Sequence, residues 1–332
     1  MRRKNYVCAF LDLLGFRTYI GKDLRGAANL IMEYKNVLDL TLMAQNVRAP
    51  RTARGSDLSQ SPALQNHNLQ LKVTSFDYFL PFSDSIFIRS SNPDLFVAQI
   101  SSFLSKCLTL INKGHEFDET SEHPFQTGVR DAITHKKGRT IAKQVPVFSW
   151  PVLFRGGISY GDCHPMKVTS ILNGLKESAT ILAGNAVVEA VQFERRVKGS
   201  GPMLMCSKSF YNSLSKEGRK YVEKVRDHYE ILWPAFRYYD DGPNSSGDFR
   251  HAQTFEELFR PAAIWWNACN HLEYASHYYN LLKLIIRSTL HYYSLDGRSV
   301  AAARRHIETR LKEHGLLSKA ADLMKKKPEV SL

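Results

Sequence analysis

The sequence contains no run of about 18 or more apolar residues, so no stretch of it is long and apolar enough to cross a bilayer as a helix. Cysteine is scarce. Cys8, Cys107, Cys163, Cys206 and Cys269 are an odd, widely spaced set without a C-x-x-C pair. That excludes a disulfide framework and a cysteine zinc site and points to a reducing, cytoplasmic setting. Acidic residues are the minority, 32 against 45 basic, which leaves a net charge of +13. The basic residues are scattered, with minor clusters at Arg304-Arg305 and Lys325 to Lys327 rather than one patch. Nucleic acid is therefore not the expected partner, whereas a polyphosphate would be favoured by such a field.

What is present suits a soluble globular chain: 43% hydrophobic and 23% charged residues over 332 positions, enough for one large domain or a domain with an extension. The start, Met1-Arg2-Arg3-Lys4 followed by apolar Tyr6 to Phe16, mimics a secretory leader. Asp12 interrupts it and no small-residue cleavage site follows, so a first β-strand is expected over 6–11. Helical spacing predicts helices over 26–45, 94–111 and about 179–194, the last beginning near Gly184. Segments 48–68 and 112–145 lack periodicity and read as long loops or an insertion. Strands are expected over 70–80, where Pro81 stops the chain, and over 84–90, 152–160 and 203–206, with a helix at about 207–215. This order gives an α+β fold, helices on one face of a mainly antiparallel sheet. Residues 1–240 would form that unit. Residues 250–332, with helical patterns over 255–293 and 299–325, would form a C-terminal helical extension whose aromatic stripe reads as core.

Four short constellations carry polar groups where chemistry could sit. Phe10-Leu11-Asp12-Leu13-Leu14-Gly15-Phe16 puts a carboxylate at a strand end beside a turn whose amides can face phosphate oxygens. An Asp in that position can also simply cap the following helix. Phe82-Ser83-Asp84-Ser85 puts a second Asp at a hairpin tip, where it could equally just make the turn. Two such carboxylates on adjacent strand ends would suit a hard cation, Mg²⁺ or Mn²⁺. Phe154-Arg155-Gly156-Gly157-Ile158-Ser159-Tyr160-Gly161 buries an Arg in an apolar strand, which is costly without a partner. Its glycines imply close approach of another element. Ala183-Gly184-Asn185 then turns into a helix.

In this order and spacing the four motifs resemble the catalytic domain of class III nucleotide cyclases. Asp12-Leu13-Leu14-Gly15-Phe16 matches the family's D-I-x-G-F. Ser83-Asp84 matches its G-D with Ser for Gly. Arg155, Gly157, Ile158 and Gly161 match R-x-G-I-x-x-G in full, and Gly184, Val187 and Ala190 match part of G-D-x-V-N-x-A-x-R. The resemblance spans about residues 5–235. It implies two Mn²⁺ or Mg²⁺ ions held by Asp12, Asp84 and the Leu13 carbonyl, phosphates on the turn Leu14, Gly15, Phe16 and Arg17, and a homodimer with each active site shared between two chains.

The departures are informative. Where purine cyclases place a Lys and an Asp that read the purine edge, this sequence has Leu80 and Ile181, neither able to make such bonds. The family's transition-state Asn and Arg fall on Val188 and Gln192, which leaves Arg155, Arg195 or Arg196 to supply the cation. Aromatic Phe76, Tyr78, Phe79 and Phe82 on the hairpin alternate between two faces, and those facing the cleft would shorten a base pocket. This pattern is similar to the bacterial pyrimidine cyclases of the antiphage system known as Pycsar. That likeness implies UTP or CTP as substrate, a 3′,5′-cyclic product, and a separate effector that reads it. An adenylate or guanylate cyclase with relaxed motifs, and a catalytically silent nucleotide-binding module, are the alternatives.

Overall fold

The computed structural model describes residues 4–22, 76–82, 84–110, 126–136, 139–148, 152–172, 175–196, 201–225, 227–240, 252–270, 272, 275–295 and 300–324. The helix expected over 26–45, the loop expected over 48–68 and Ser83 lie outside these residues. Among the described residues the elements run β1 (Tyr6–Leu13), α1 (Phe16–Lys22), β2 (Phe76–Phe82), β3 (Ser85–Ser90) and α2 (Pro93–Leu110). Then come β4 (Gln126–Lys136), β5 (Arg139–Phe148), β6 (Phe154–Gly161), β7 (His164–Leu172), β8 (Leu175–Ala183), α3 (Asn185–Arg196), β9 (Leu204–Cys206) and α4 (Lys208–Ser213). The chain ends with β10 (Val222–Val225), β11 (His228–Ile231), α5 (Ala235–Asp240), α6 (Ala252–Cys269), α7 (Ala275–Leu295), α8 (Val300–Glu313) and α9 (Ala320–Leu323). No described helix is long and apolar enough to cross a membrane.

The fold is α+β. Seven strands form one sheet in the order β10-β11-β9-β6-β1-β3-β2, antiparallel throughout except for the parallel β6–β9 pair. β1 lies near the centre and alternates cleanly. Val7, Ala9, Leu11 and Leu13 join the main core with Ile86, Ile88, Phe96, Ile100 and Phe103. Cys8 instead clusters with Cys163, Ala186 and Ala190, against which Phe10 and Phe87 pack. Successive side chains of a strand point to opposite faces, so α2 covers one face of the sheet and α3 the other. The expectation of helices on a single face is corrected in that respect.

Local chemistry explains the principal elements. α2 opens with Pro93, whose fixed φ suits a first helical position, and the Asn92 side chain accepts from the Leu95 amide at 3.1 Å. Its apolar stripe then fits the sheet, each fully buried Phe or Ile contributing about 1.5–3 kcal/mol over exposure. α3 lies so close to the sheet that a Cβ on Gly157 would fall well inside contact of the Ala190 carbonyl and 2.6 Å from the Glu194 nitrogen. Only glycine fits there.

Several expectations are revised. Pro81 does not end its strand; it pairs opposite Ile86 within β2. β2 is the sheet's edge, where an imino residue lacking an N–H can face outward. Gln126–Lys136 and Arg139–Phe148, lying largely within the segment 112–145 expected as an insertion, pair as the antiparallel strands β4 and β5. His164–Leu172 and Leu175–Ala183 pair as the antiparallel strands β7 and β8, so 179–183 are strand and the helix starts at Asn185. The aromatic stripe of the C-terminal helices, by contrast, is core as expected, with Trp265, Tyr278, Tyr292 and Tyr293 in the main cluster alongside Phe255, Phe259, Leu282 and Ile285. Buried Arg287 on α7 ties them to the far edge by ion pairs to Glu230 and, at 3.2 Å, to Glu223.

The Gly157 contact generates a direct test. Gly157→Ala is expected to cost about 3 kcal/mol by overpacking, read as a lower midpoint in urea unfolding. A midpoint equal to that of the unmodified protein would mean that α3 is not held as close as described.

Candidate active site

β1 delivers Asp12 to its C-terminal end, on the face covered by α3. Across the sheet Asp12 is paired in register with Ser85 of β3 on one side and Arg155 of β6 on the other. The Arg155 guanidinium bridges two carboxylates, donating from Nη2 to Asp12 Oδ2 and from Nε to Glu194 Oε1, both at 2.6 Å. The three side chains are largely out of water, at 15% exposure for Arg155, 19% for Asp12 and 8% for Glu194. Arg155 thus has the partners that an arginine in an apolar strand requires.

Asp84 arrives from the turn between β2 and β3. Its carbonyl accepts from the Leu13 amide at 2.9 Å, which sets the main chains of the two Asp-bearing segments side by side. The Ser85 hydroxyl stands between the carboxylates, 3.3 Å from Asp12 Oδ1 and 3.4 Å from Asp84 Oδ1. A hydroxyl has one proton to donate, so it can serve only one of them at a time. Burial raises the Asp12 carboxyl above its ordinary range; Arg155 and the Ser85 hydroxyl oppose this, while the Glu194 and Asp84 carboxylates add to it. Negative charge therefore exceeds what Arg155 alone offsets. That excess, in an all-oxygen donor set, fits a divalent cation such as Mg²⁺ or Mn²⁺. Among the described residues no group of three or more His, Cys, Asp or Glu is placed to hold a metal ion, so Asp12 and Asp84 would be the only acidic side-chain ligands. Waters and substrate phosphates would have to complete the coordination.

The remaining residues singled out from the sequence fall in three places. Leu14, Gly15, Phe16 and Arg17 follow Asp12 directly. Gly15 takes a φ of +77°, the left-handed conformation that favours glycine. The Leu14 amide is committed to the Leu153 carbonyl at 2.8 Å, so it cannot also serve a phosphate. Phe16 is buried and Arg17 exposed at the start of α1. Leu80 pairs with Phe87, and Phe87 shares its face with Ser85 and Asp12, so Leu80 belongs to the site face. Ile181 and Arg195 are not brought to this cluster. Ile181 is exposed on β8 opposite Met166, in a separate two-stranded sheet. Arg195 is exposed in the last turn of α3, and Val188 and Gln192 are exposed earlier on the same helix.

Sequence reasoning missed Glu194, Ser85, Phe10, Phe87 and His277. Phe10 and Phe87 stack obliquely, centroids 4.7 Å apart, two strand positions from Asp12 and Ser85. Counting by twos from Asp12 would have found Phe10. Phe76 and Phe79 belong to the opposite, core side. His277, in the first turn of α7, feels Arg155; burial first and that charge second push its imidazole down to about 4. Nothing in the sequence links His277 to β6.

No family model matches the chain, and no curated protein matches it. Among solved structures it is similar to a bacterial light-regulated adenylyl cyclase at 11% identity and a TM-score of 0.36, covering 68% of this chain and 88% of that one. It is also similar to adenylate cyclases from Trypanosoma brucei in their monomeric state, at 13% identity and a TM-score of 0.38, covering 69% and 90%.

The electrostatics predict an unusual response to mutation. An acid whose pKa is raised by folding destabilises the fold once it ionises. The cost is absent below its unfolded value and complete above its folded value. Asp12→Asn should therefore melt no lower than the unmodified protein at neutral pH, and the difference should shrink as pH falls through the raised Asp12 value. Thermal melts across that range check it; an Asn variant clearly less stable at neutral pH would refute the charge balance described.

Proposed function

We propose that the chain is a metal-dependent nucleotide cyclase that closes UTP or CTP into the 3′,5′-cyclic monophosphate and releases pyrophosphate. The observation that carries this reading is the meeting of Asp12 and Asp84 around one hydroxyl, with Arg155 alongside. The motif resemblance to class III cyclases, and within them to the Pycsar pyrimidine cyclases, supplies the reaction class.

Two Mg²⁺ or Mn²⁺ ions on Asp12, Asp84 and the Leu13 carbonyl would supply activation of the ribose 3′-hydroxyl and neutralisation of phosphate charge. The chain's own part is positioning and electrostatics. Amides opening α1 at Gly15, Phe16 and Arg17 lack intrahelical acceptors and would take β- and γ-phosphate oxygens. Arg155 is the fixed cation beside the reacting phosphate. It stands in for the absent transition-state pair, with Arg195 the further candidate from the sequence. The base would lie along the Phe10–Phe87 pair next to Leu80, an apolar side chain where purine cyclases place their purine-reading Lys. A purine's polar edge left unpaired there costs about 1–3 kcal/mol. The product would be read by a separate effector, in keeping with an antiphage signalling role and a cytoplasmic setting.

A homodimer accompanies this reading. Met166, Val168 and Ile181 are exposed apolar residues of the β7–β8 hairpin, Met166 and Ile181 directly paired, and Val188 is exposed on α3. A second copy of the chain would cover them, giving two equal sites by isologous pairing. The exposed Val188, where the family places a polar transition-state group, instead favours a catalytically silent nucleotide-binding module. Turnover separates the two.

The purified protein with Mn²⁺ and equal UTP, CTP, ATP and GTP is expected to yield cyclic UMP or cyclic CMP by mass spectrometry. Asp12→Ala and Asp84→Ala should each remove at least about 99% of turnover, as expected when a metal's position is lost, while circular dichroism stays unchanged. Dominant cyclic AMP or cyclic GMP would overturn the pyrimidine reading, and full activity in either variant would overturn the metal site. Light scattering should give a dimer, converted to monomer by Met166→Asp with Ile181→Asp; a fully active monomer would reject the shared site.

A further inference from the structure

The same sheet face continues beyond the aromatic pair to a second cation. Arg89 is paired in register with Cys8 on β1 and with Tyr78 on β2. It shares the parity of Ser85 and Phe87, so it lies on the site face. It lies four positions along β3 from Ser85, about 13 Å, and Phe87 is midway. In order along this face stand the carboxylates and Arg155, then the Phe10–Phe87 floor with Leu80, then Arg89.

Arg89 is fixed rather than free. Its guanidinium carbon is 4.0 Å from the Tyr6 ring centroid and 4.7 Å from that of Tyr78, so it is held between two aromatic faces. Nη2 is 3.6 Å from Asp77, and Nη1 donates to the Cys163 carbonyl at 3.4 Å, a long bond. Nε is buried with no acceptor among the described residues. A planar donor set, clamped in place and incompletely used, at the far end of an aromatic floor is suited to an in-plane carbonyl acceptor.

We propose that Arg89 is the specificity-determining residue for the base, donating to the 4-carbonyl of uracil and so selecting UTP over CTP. This rests on the cyclase reading above and names the substrate for the same site. A nucleotide whose phosphates are held by metals at Asp12 and Asp84 and by the Gly15 to Arg17 amides would lay its ring over Phe87 and turn its far edge to Arg89. Uracil offers an acceptor at that edge; cytosine offers an amino donor, which a guanidinium cannot accept. Guanine also carries an acceptor at that edge, so GTP is the competing nucleotide that the test must include.

The test uses the full chain with Mn²⁺, and with Ca²⁺ in its place for equilibrium binding. The unmodified protein is expected to favour UTP over CTP in both kcat/KM and affinity. Arg89→Gln should lower kcat/KM for UTP by about tenfold to a hundredfold and bring CTP level with it. Arg89→Lys, which keeps the charge but loses the planar fork, should fall between. Melting curves verify that the variants fold. An unchanged UTP-to-CTP ratio in Arg89→Gln overturns the assignment while leaving the cyclase reading intact. Uracil-selective binding that depends on Arg89 without turnover upholds it while the cyclase reading fails. Dominance of CTP or GTP in the unmodified protein overturns it outright.

Discussion

One guanidinium held between two carboxylates organises the centre of this molecule. Arg155 reaches Asp12 on the neighbouring strand and Glu194 on the overlying helix with equal 2.6 Å contacts, so β1, β6 and α3 meet at a single charged point. Taking three ionised groups out of water is expensive unless each finds its partner in good geometry. Here the geometry depends on Gly157, two residues along β6. It lets the helix backbone settle against the sheet until Glu194 is within reach of Arg155. A larger residue at 157 would separate helix from sheet and leave a buried carboxylate without its cation.

The balance at that point is deliberately incomplete. Two carboxylates meet Arg155 and a third, Asp84, adds its charge across the Ser85 hydroxyl. A fold selected only for stability would place an apolar side chain at position 12. An uncompensated charge of this kind, retained at one end of an otherwise well-packed sheet, is what the proposed cation and phosphate site would require. The aromatic floor next to it is the complement: apolar, half-buried, and on the same face by strict alternation.

The parts legible in the sequence were those whose cause is local. Asp12 and Asp84 stand out as acids at the ends of apolar strands, and Arg155 as a charge inside one. The glycines beside Arg155 announced a close approach. Glu194 was not legible, because its role depends on a helix docking 39 positions away from its partner, and no period relates the two. The β7–β8 hairpin had a readable signal that went unused. Asn173-Gly174 lies between two runs that pair from Leu172 with Leu175 outward, the dipeptide most suited to a two-residue turn. Pro81 misled for a different reason: whether proline stops a strand depends on whether that strand is an edge, and edges are a property of the finished sheet.

The central strand has a history in time as well as a position. Asp12 and Arg155 lie 143 positions apart, and the chain emerges from the ribosome at about 5–20 residues per second, so roughly 7 to 30 seconds pass before the partner exists. During that interval β1 is an apolar segment whose β6 side has nothing to pair with, and Asp12 keeps its water. Closing such a loop is slow and precedes any reward from the contacts it makes. Among the described strands, a central and largely buried one therefore waits longest for its second neighbour, with one hydrogen-bonding edge open throughout.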